Sequence, residues 1–296
     1  MKIFRFSLPL LVFSLLTACA IADLRPDDAP LTDEARGRQL LEASVSAMGL
    51  DRLAETQVYS ARANFDWATG WSLMPMNALP GNKGNDIRFR FATNTFDGQV
   101  EFLEGPREGR TFGLQGWRAY ELDGAPTAIG GAEEITNKRY PWGLATYHYL
   151  LESPTRLLGA DLIRYAGTTT FDGQTYDRVF VTWGDGTKVK KYDQWLVYIN
   201  RATQFVDLTE VTITDFFLPM PNGMKNASVR FPRRERTSIG AYLPTEVVIQ
   251  FGRPKENIER DVYTFTLSEY RFDAFAREEL YPLEGVPFYG DSKAAR

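Results

Sequence analysis

Thiol and imidazole chemistry in this chain rests on two residues, because Cys19 is the sole cysteine and His148 the sole histidine. A transition-metal site of nitrogen and sulfur ligands, or a nucleophile–histidine–carboxylate relay, would have to recruit one of them, with no second imidazole or thiolate to complete it. His148 lies in Tyr147-His148-Tyr149, inside an apolar run with helical spacing. The expectation for it is a half-buried imidazole hydrogen-bonded to a neighbour. No Gly-x-Ser-x-Gly elbow, phosphate-binding loop or dinucleotide fingerprint occurs. Two carboxylates far apart in sequence can still act as an acid–base pair, but nothing selects one, and the adjacent pairs Asp27-Asp28 and Glu133-Glu134 are expected in solvent. Asp185-Gly186-Thr187-Lys188-Val189-Lys190-Lys191 reads as a hairpin turn with a solvated basic edge rather than an anion site. No catalytic residue, metal or cofactor is assigned.

Cys19 has a more specific context. Lys2 and Arg5 precede an apolar run from Phe6 to Leu16, and Leu16-Thr17-Ala18-Cys19 follows. Basic, apolar and small residues in that order form an export signal. The last four resemble the bacterial lipoprotein signal, in which the cysteine is acylated and becomes the new N-terminus. Ala18-Cys19-Ala20 and Ala20-Ile21-Ala22 also fit ordinary secretory cleavage, which would discard the thiol. Acylation is the preferred reading, because a free thiol in an oxidising compartment is a liability. The apolar run is shorter than the ~20 residues of a membrane-spanning helix. Residues 1–18 are therefore read as signal peptide, 19–31, with Arg25-Pro26-Asp27-Asp28-Ala29-Pro30, as a lipid-anchored tether, and 32–290 as a single domain.

The composition is globular, with 44% hydrophobic and 24% charged residues, and acidic, with a formal net charge of −4. That balance argues against nucleic acid as a partner. Thr32 can cap a helix carrying Leu40, Leu41, Val45 and Met48, which Gly49 stops, and Leu50 to Ala54 can add a turn. Alternation then takes over: Tyr59, Ala61, Ala63, Phe65 and Trp67; Ile87, Phe89 and Phe91; Val179, Val181 and Trp183; Trp195, Val197 and Ile199; Val247 and Ile249; Tyr263, Phe265 and Leu267. Asp97-Gly98, Asp123-Gly124, Asp172-Gly173, Asp185-Gly186 and Asn222-Gly223 suit tight hairpins between such strands. The spacing predicts a further helix over Leu144 to Leu151, with Pro154 interrupting it or starting the next turn. The fold class expected is mainly β with some α: an open antiparallel half-barrel whose concave face is covered by the N-terminal helix and this insertion.

Two loops stand out. Trp71-Ser72-Leu73-Met74-Pro75-Met76 and Phe216-Phe217-Leu218-Pro219-Met220-Pro221 are apolar where loops are usually polar, and proline makes strand unlikely in both. Trp71, Met74, Met76, Phe216, Phe217 and Met220 are therefore candidates for a deformable apolar lip around a lipid-binding cavity. The competing reading is that both loops fold back and plug the core.

Three stretches carry a resemblance to the LolA/LolB-like superfamily of periplasmic lipoprotein carriers and receptors, and to outer-membrane lipoproteins within it. They are Gly37 to Ala43 running on through Met48-Gly49 and Leu53, Gln194 to Thr203 followed by Phe205 to Thr214, and Ala241 to Val247 leading to Phe265 to Phe272. The resemblance implies an incomplete antiparallel barrel wrapped around helices, a hydrophobic cavity that takes acyl chains, and no enzymatic activity. It also implies a Gram-negative envelope location, with Ala20 after the cysteine fitting outer-membrane retention on the periplasmic face. A non-catalytic scaffold docking on an envelope protein is the alternative, and a hydrolase the third choice.

Overall fold

The computed structural model of the protein describes residues 21–68, 77–79, 85–124, 131–185, 191–254 and 262–285. Helix α1 runs over Glu34–Met48 and α2 over Leu50–Glu55. Six strands follow: β1 Val58–Trp67, β2 Asp86–Ala92, β3 Gly98–Phe102, β4 Arg110–Gln115, β5 Arg118–Asp123 and β6 Glu133–Ile135. After α3 (Arg139–Glu152) and a 3-10 turn (Thr155–Gly159) come seven more: β7 Leu162–Phe171, β8 Gln174–Thr182, β9 Gln194–Asn200, β10 Val206–Thr212, β11 Asn226–Arg236, β12 Tyr242–Phe251 and β13 Tyr263–Phe272. They form one open antiparallel sheet in the order β6-β5-β4-β3-β2-β1-β13-β12-β11-β10-β9-β8-β7. The expected half-barrel with inserted helix is what the chain builds.

The residues forecast to alternate do so because only one face of each strand meets the helices. Tyr59, Ala61, Ala63, Phe65 and Trp67 of β1 are all buried in the main core, with Phe89 and Phe91 of β2, Val197 of β9 and Phe265 of β13. Helix α1 contributes Leu41, Val45 and Met48, and α3 contributes Tyr140, Leu144, Tyr147 and Leu151 at helical spacing. Helix α1 ends as expected at Gly49, which adopts φ 65° so that its N–H reaches the Val45 and Ser46 carbonyls. Its start differs by one residue. Asp33, not Thr32, accepts the Arg36 N–H, because Thr32 is held extended in a bridge to Tyr165. Among the Asp-Gly and Asn-Gly pairs, Asp172-Gly173 makes the two-residue hairpin, with φ 47° and 72°. Gly98 is instead already in β3, and Asn222-Gly223 opens a 3-10 turn.

Register fixes which loops share an end of the sheet. The pairs Trp67↔Tyr263, Ile249↔Tyr263, Ala227↔Phe251, Thr212↔Asn226 and Thr182↔Gln194 place Trp67, Tyr263, Phe251, Thr212, Asn226 and Gln194 along one edge, here the upper end. Helix α3 descends from there: Tyr140 stacks on Phe112 at 4.0 Å, Tyr147 meets Phe65 at 5.2 Å, and His148 lies on Phe91 at 4.2 Å, lower down.

The segment read as a tether is packed over its described part. Leu24 is buried on the opposite face of the sheet with Phe180, Leu196, Tyr198 and Leu208. The Gln194 side chain grips it, accepting the Leu24 N–H at 2.9 Å and donating to the Ala22 carbonyl at 3.4 Å. Asp28 then takes the Arg178 guanidinium at 2.9 Å. Residues 22–32 thus form a strap that runs from the upper end of β9 to the β7 edge.

Candidate functional site

The site builds up from the first turns of α3. Pro141 sits in the first turn of the helix, where its missing N–H costs nothing. Trp142 then projects away from the core, half-buried. Phe216 and Phe217 pack on its indole at centroid distances of 4.6 and 5.4 Å and against each other at 4.3 Å. The loop that carries them leaves β10 at the upper end. Leu218, Met220 and Met224 are also half-buried there, while Pro219 and Pro221 are exposed. One residue along the helix, Gly143 lets the chain of the other apolar loop approach: a Cβ on Gly143 would lie 2.8 Å from the Ala78 Cβ. Ala78 and Leu79 are buried against the helix at this point. Residues 78–79 and Phe216–Phe217, 138 positions apart in sequence, therefore converge on one helical turn.

Of the six residues proposed as a lip, Phe216 and Phe217 pack onto α3, and Met220 is half-buried in the same loop. Trp71, Met74 and Met76, like Cys19, lie outside the described residues. Trp142 was not among the candidates, although Phe216 and Phe217 pack on it. Its signal was Pro141-Trp142 ahead of an apolar run, an aromatic in a position that gains nothing from core burial.

Below the cluster the helix is tightly filled. Tyr147 is wedged between Phe65, Phe89 and Phe265, whose centroids lie 5.2–5.4 Å away. Its hydroxyl lies 3.4 Å from that of Tyr263. Burial, then the neighbouring phenol, pushes the Tyr147 hydroxyl well above the usual phenol value; Tyr263 is pushed up to about 12 by burial.

His148 is fully buried, beyond the half-burial expected. Its Nε2 pairs with a Glu152 carboxylate oxygen at 2.7 Å, and the other oxygen takes Arg156 Nε at 2.9 Å. Arg156 also donates to the Thr95 carbonyl and lies 4.7 Å from the Phe96 ring centroid. Burial raises the Glu152 carboxyl, but the Arg156 and His148 charges outweigh that and hold it below the usual range. The three side chains tie the lower end of α3 to the turn after β2. Among the described residues, no three metal-ligating side chains come together.

On the opposite face, the strap closes a cleft of about 200 Å³ lined by Leu24, Asp28, Arg178, Tyr198, Glu210 and Arg253. Tyr198 donates to Glu210 at 2.6 Å. Burial raises the Glu210 carboxyl, and the Tyr198 hydrogen bond only partly counters it.

No family model and no curated protein match the sequence. Solved structures do match, at low identity. A DUF1329 family protein from Desulfovibrio piger is 12% identical over 82% of this chain and 94% of that chain, with a TM-score of 0.45. A putative outer membrane lipoprotein-sorting protein domain from Vibrio parahaemolyticus is 9% identical over 81% and 97%, with a TM-score of 0.44. A LolA superfamily protein from Nitrosomonas europaea is 9% identical over 79% and 94%, also with a TM-score of 0.44. All three are similarities to solved structures at 12% identity or less.

Proposed function

We propose that this protein is a lipid-anchored carrier or receptor of the Gram-negative envelope that takes an apolar ligand, an acyl chain, between the Phe216–Met220 loop and the first turns of α3. The observation that carries the reading is the half-buried cluster of Trp142, Phe216 and Phe217 at the upper end of an open sheet, with Leu218 and Met220 half-buried in the same loop. Large apolar side chains left together at a surface mark an interaction site. Methionine, unbranched and polarizable, suits ligands of variable shape.

Magnitudes decide how such a ligand must bind. Each buried methylene gains ~0.8 kcal/mol, whereas association costs roughly 4–15 kcal/mol. On the order of ten methylenes must therefore leave water, more than a surface rim covers. The loop has to swing off Trp142 and admit the chain against the indole and the first turns of α3. It is built for this: Phe216 and Phe217 hold it to α3 by ring contacts rather than by sheet pairing.

Titration with a brominated fatty acid tests the proposal. Bromine quenches indoles in contact with it, so quenching should saturate and should lose a large part of its amplitude in W142F. The affinity should fall several-fold in M220S and further in F216S/F217S, with thermal stability retained. Absence of saturable quenching, together with a lipid-free mass for gently purified protein, would sink the reading. That result would favour the scaffold, for which the Phe65–Tyr147–Phe265 packing under α3 is the supporting observation.

A further inference from the structure

The strap and the apolar loop meet the same end of the sheet from opposite faces. Gln194, which holds Ala22 and Leu24, opens β9 at the upper end. Its backbone N–H donates to the Thr212 hydroxyl at 2.8 Å, and Thr212 closes β10, the strand that feeds directly into the Phe216–Met224 loop. Asp193, next to Gln194, accepts the Thr214 N–H at 2.7 Å and so fixes the root of that loop. The point where the chain's N-terminal segment reaches the body and the base of the apolar loop are thus bonded neighbours.

Covalent geometry sets the consequence. Cys19 is three residues before Ala22, a reach of about 10 Å at full extension. A lipid on Cys19 cannot hold the protein on a long leash; the described strap has consumed the rest of the expected tether. We infer that the upper end of the sheet is seated on the bilayer, with the Phe216–Met224 loop in the headgroup region beside the anchor. The loop suits that place. From Phe216 to Met224 it carries no charged side chain, and its exposed residues are prolines next to aromatic and methionine side chains. Lys191 is exposed and Tyr192 half-buried immediately before Asp193, at the same end, where a cation and an amphipathic ring suit phosphates. Two weak attachments, acyl chain and apolar loop, reinforce each other in a way one alone does not. The inference rests on acylation at Cys19, and it gives the proposed ligand site a direct path from the membrane.

The single cysteine supplies the test. Once Cys19 is a thioether, a thiol introduced elsewhere is the one reactive group. P219C in the loop and A202C in the β9–β10 turn at the opposite end, both exposed, are labelled with an environment-sensitive fluorophore. The full acylated proteins are then reconstituted in phosphatidylethanolamine–phosphatidylglycerol vesicles. The label at P219C should be quenched by nitroxide lipids and several-fold less by aqueous iodide than the label at A202C. As a check independent of labelling, amide exchange over 213–225 in the unlabelled protein should slow on transfer to vesicles. Equal iodide access at both sites, with exchange unchanged and the intact acylated mass confirmed, overturns the inference. Fatty-acid uptake is scored separately in vesicle-free buffer, so its loss speaks only to the ligand reading.

Discussion

Two buried glutamates show how the same side chain acquires opposite roles. Glu152 lies between His148 and Arg156, and its charge is favoured; Glu210 lies under the strap against Tyr198, and its charge is disfavoured. For Glu152 the folded-state pKa is depressed. Its contribution is complete above the unfolded pKa and is lost as pH falls through and below about 4. For Glu210 the folded pKa is raised, so stability declines as pH rises from the unfolded pKa through the folded one. E152Q should therefore cost about 3–5 kcal/mol at neutral pH, since it strands a buried guanidinium, and should flatten the acid limb of the stability curve. E210Q keeps an acceptor for Tyr198 and should stay within about 1 kcal/mol of the parent or exceed it at neutral pH. Urea titrations at several pH values check both. The sequence showed that His148 stood alone among imidazoles. It did not show the pairing: Glu152 follows one turn on along α3, but Arg156 reaches it from the 3-10 turn after the helix has ended.

At the level of elements, the strap and the α3–loop contact make separate predictions. Leu24 belongs to no helix or strand yet is buried against β8, β9 and β10, so L24A should cost about 2–5 kcal/mol and open residues 22–32 to limited proteolysis. G143A places a methyl against Ala78 in a close-packed contact and should cost about 1–3 kcal/mol in thermal or urea unfolding. The strands were readable because a half-buried sheet writes its exposure into alternation, as Ala61 to Trp67 shows. The strap was not readable, because it contains no periodicity. Leu24 is an isolated apolar residue among prolines and aspartates, and its hydrogen-bond partner Gln194 lies 170 positions away. The Trp142 cluster was half legible for a similar reason. Composition exposed the Phe216–Met220 loop, but the helical turn that receives it is set by the tertiary fold.

For the whole molecule, the decisive fact is that β1 pairs with β13 in the middle of the sheet rather than at an edge. Sheets β6 to β1 and β12 to β7 are joined through β13. Truncation before Tyr263 should abolish cooperative unfolding and near-ultraviolet circular dichroism. Replacing Glu133–Ile135 with a Gly-Ser linker should leave both nearly intact, since β6 is a three-residue edge whose two glutamates suit solvent. Such long-range pairing also makes folding slow, milliseconds to seconds or longer. For a chain whose first residues read as an export signal, the late position of β13 has a practical meaning. Until β13 is available, β6 to β1 and β12 to β7 remain two unjoined half-sheets, so the sheet cannot lock before its most C-terminal described strand is present.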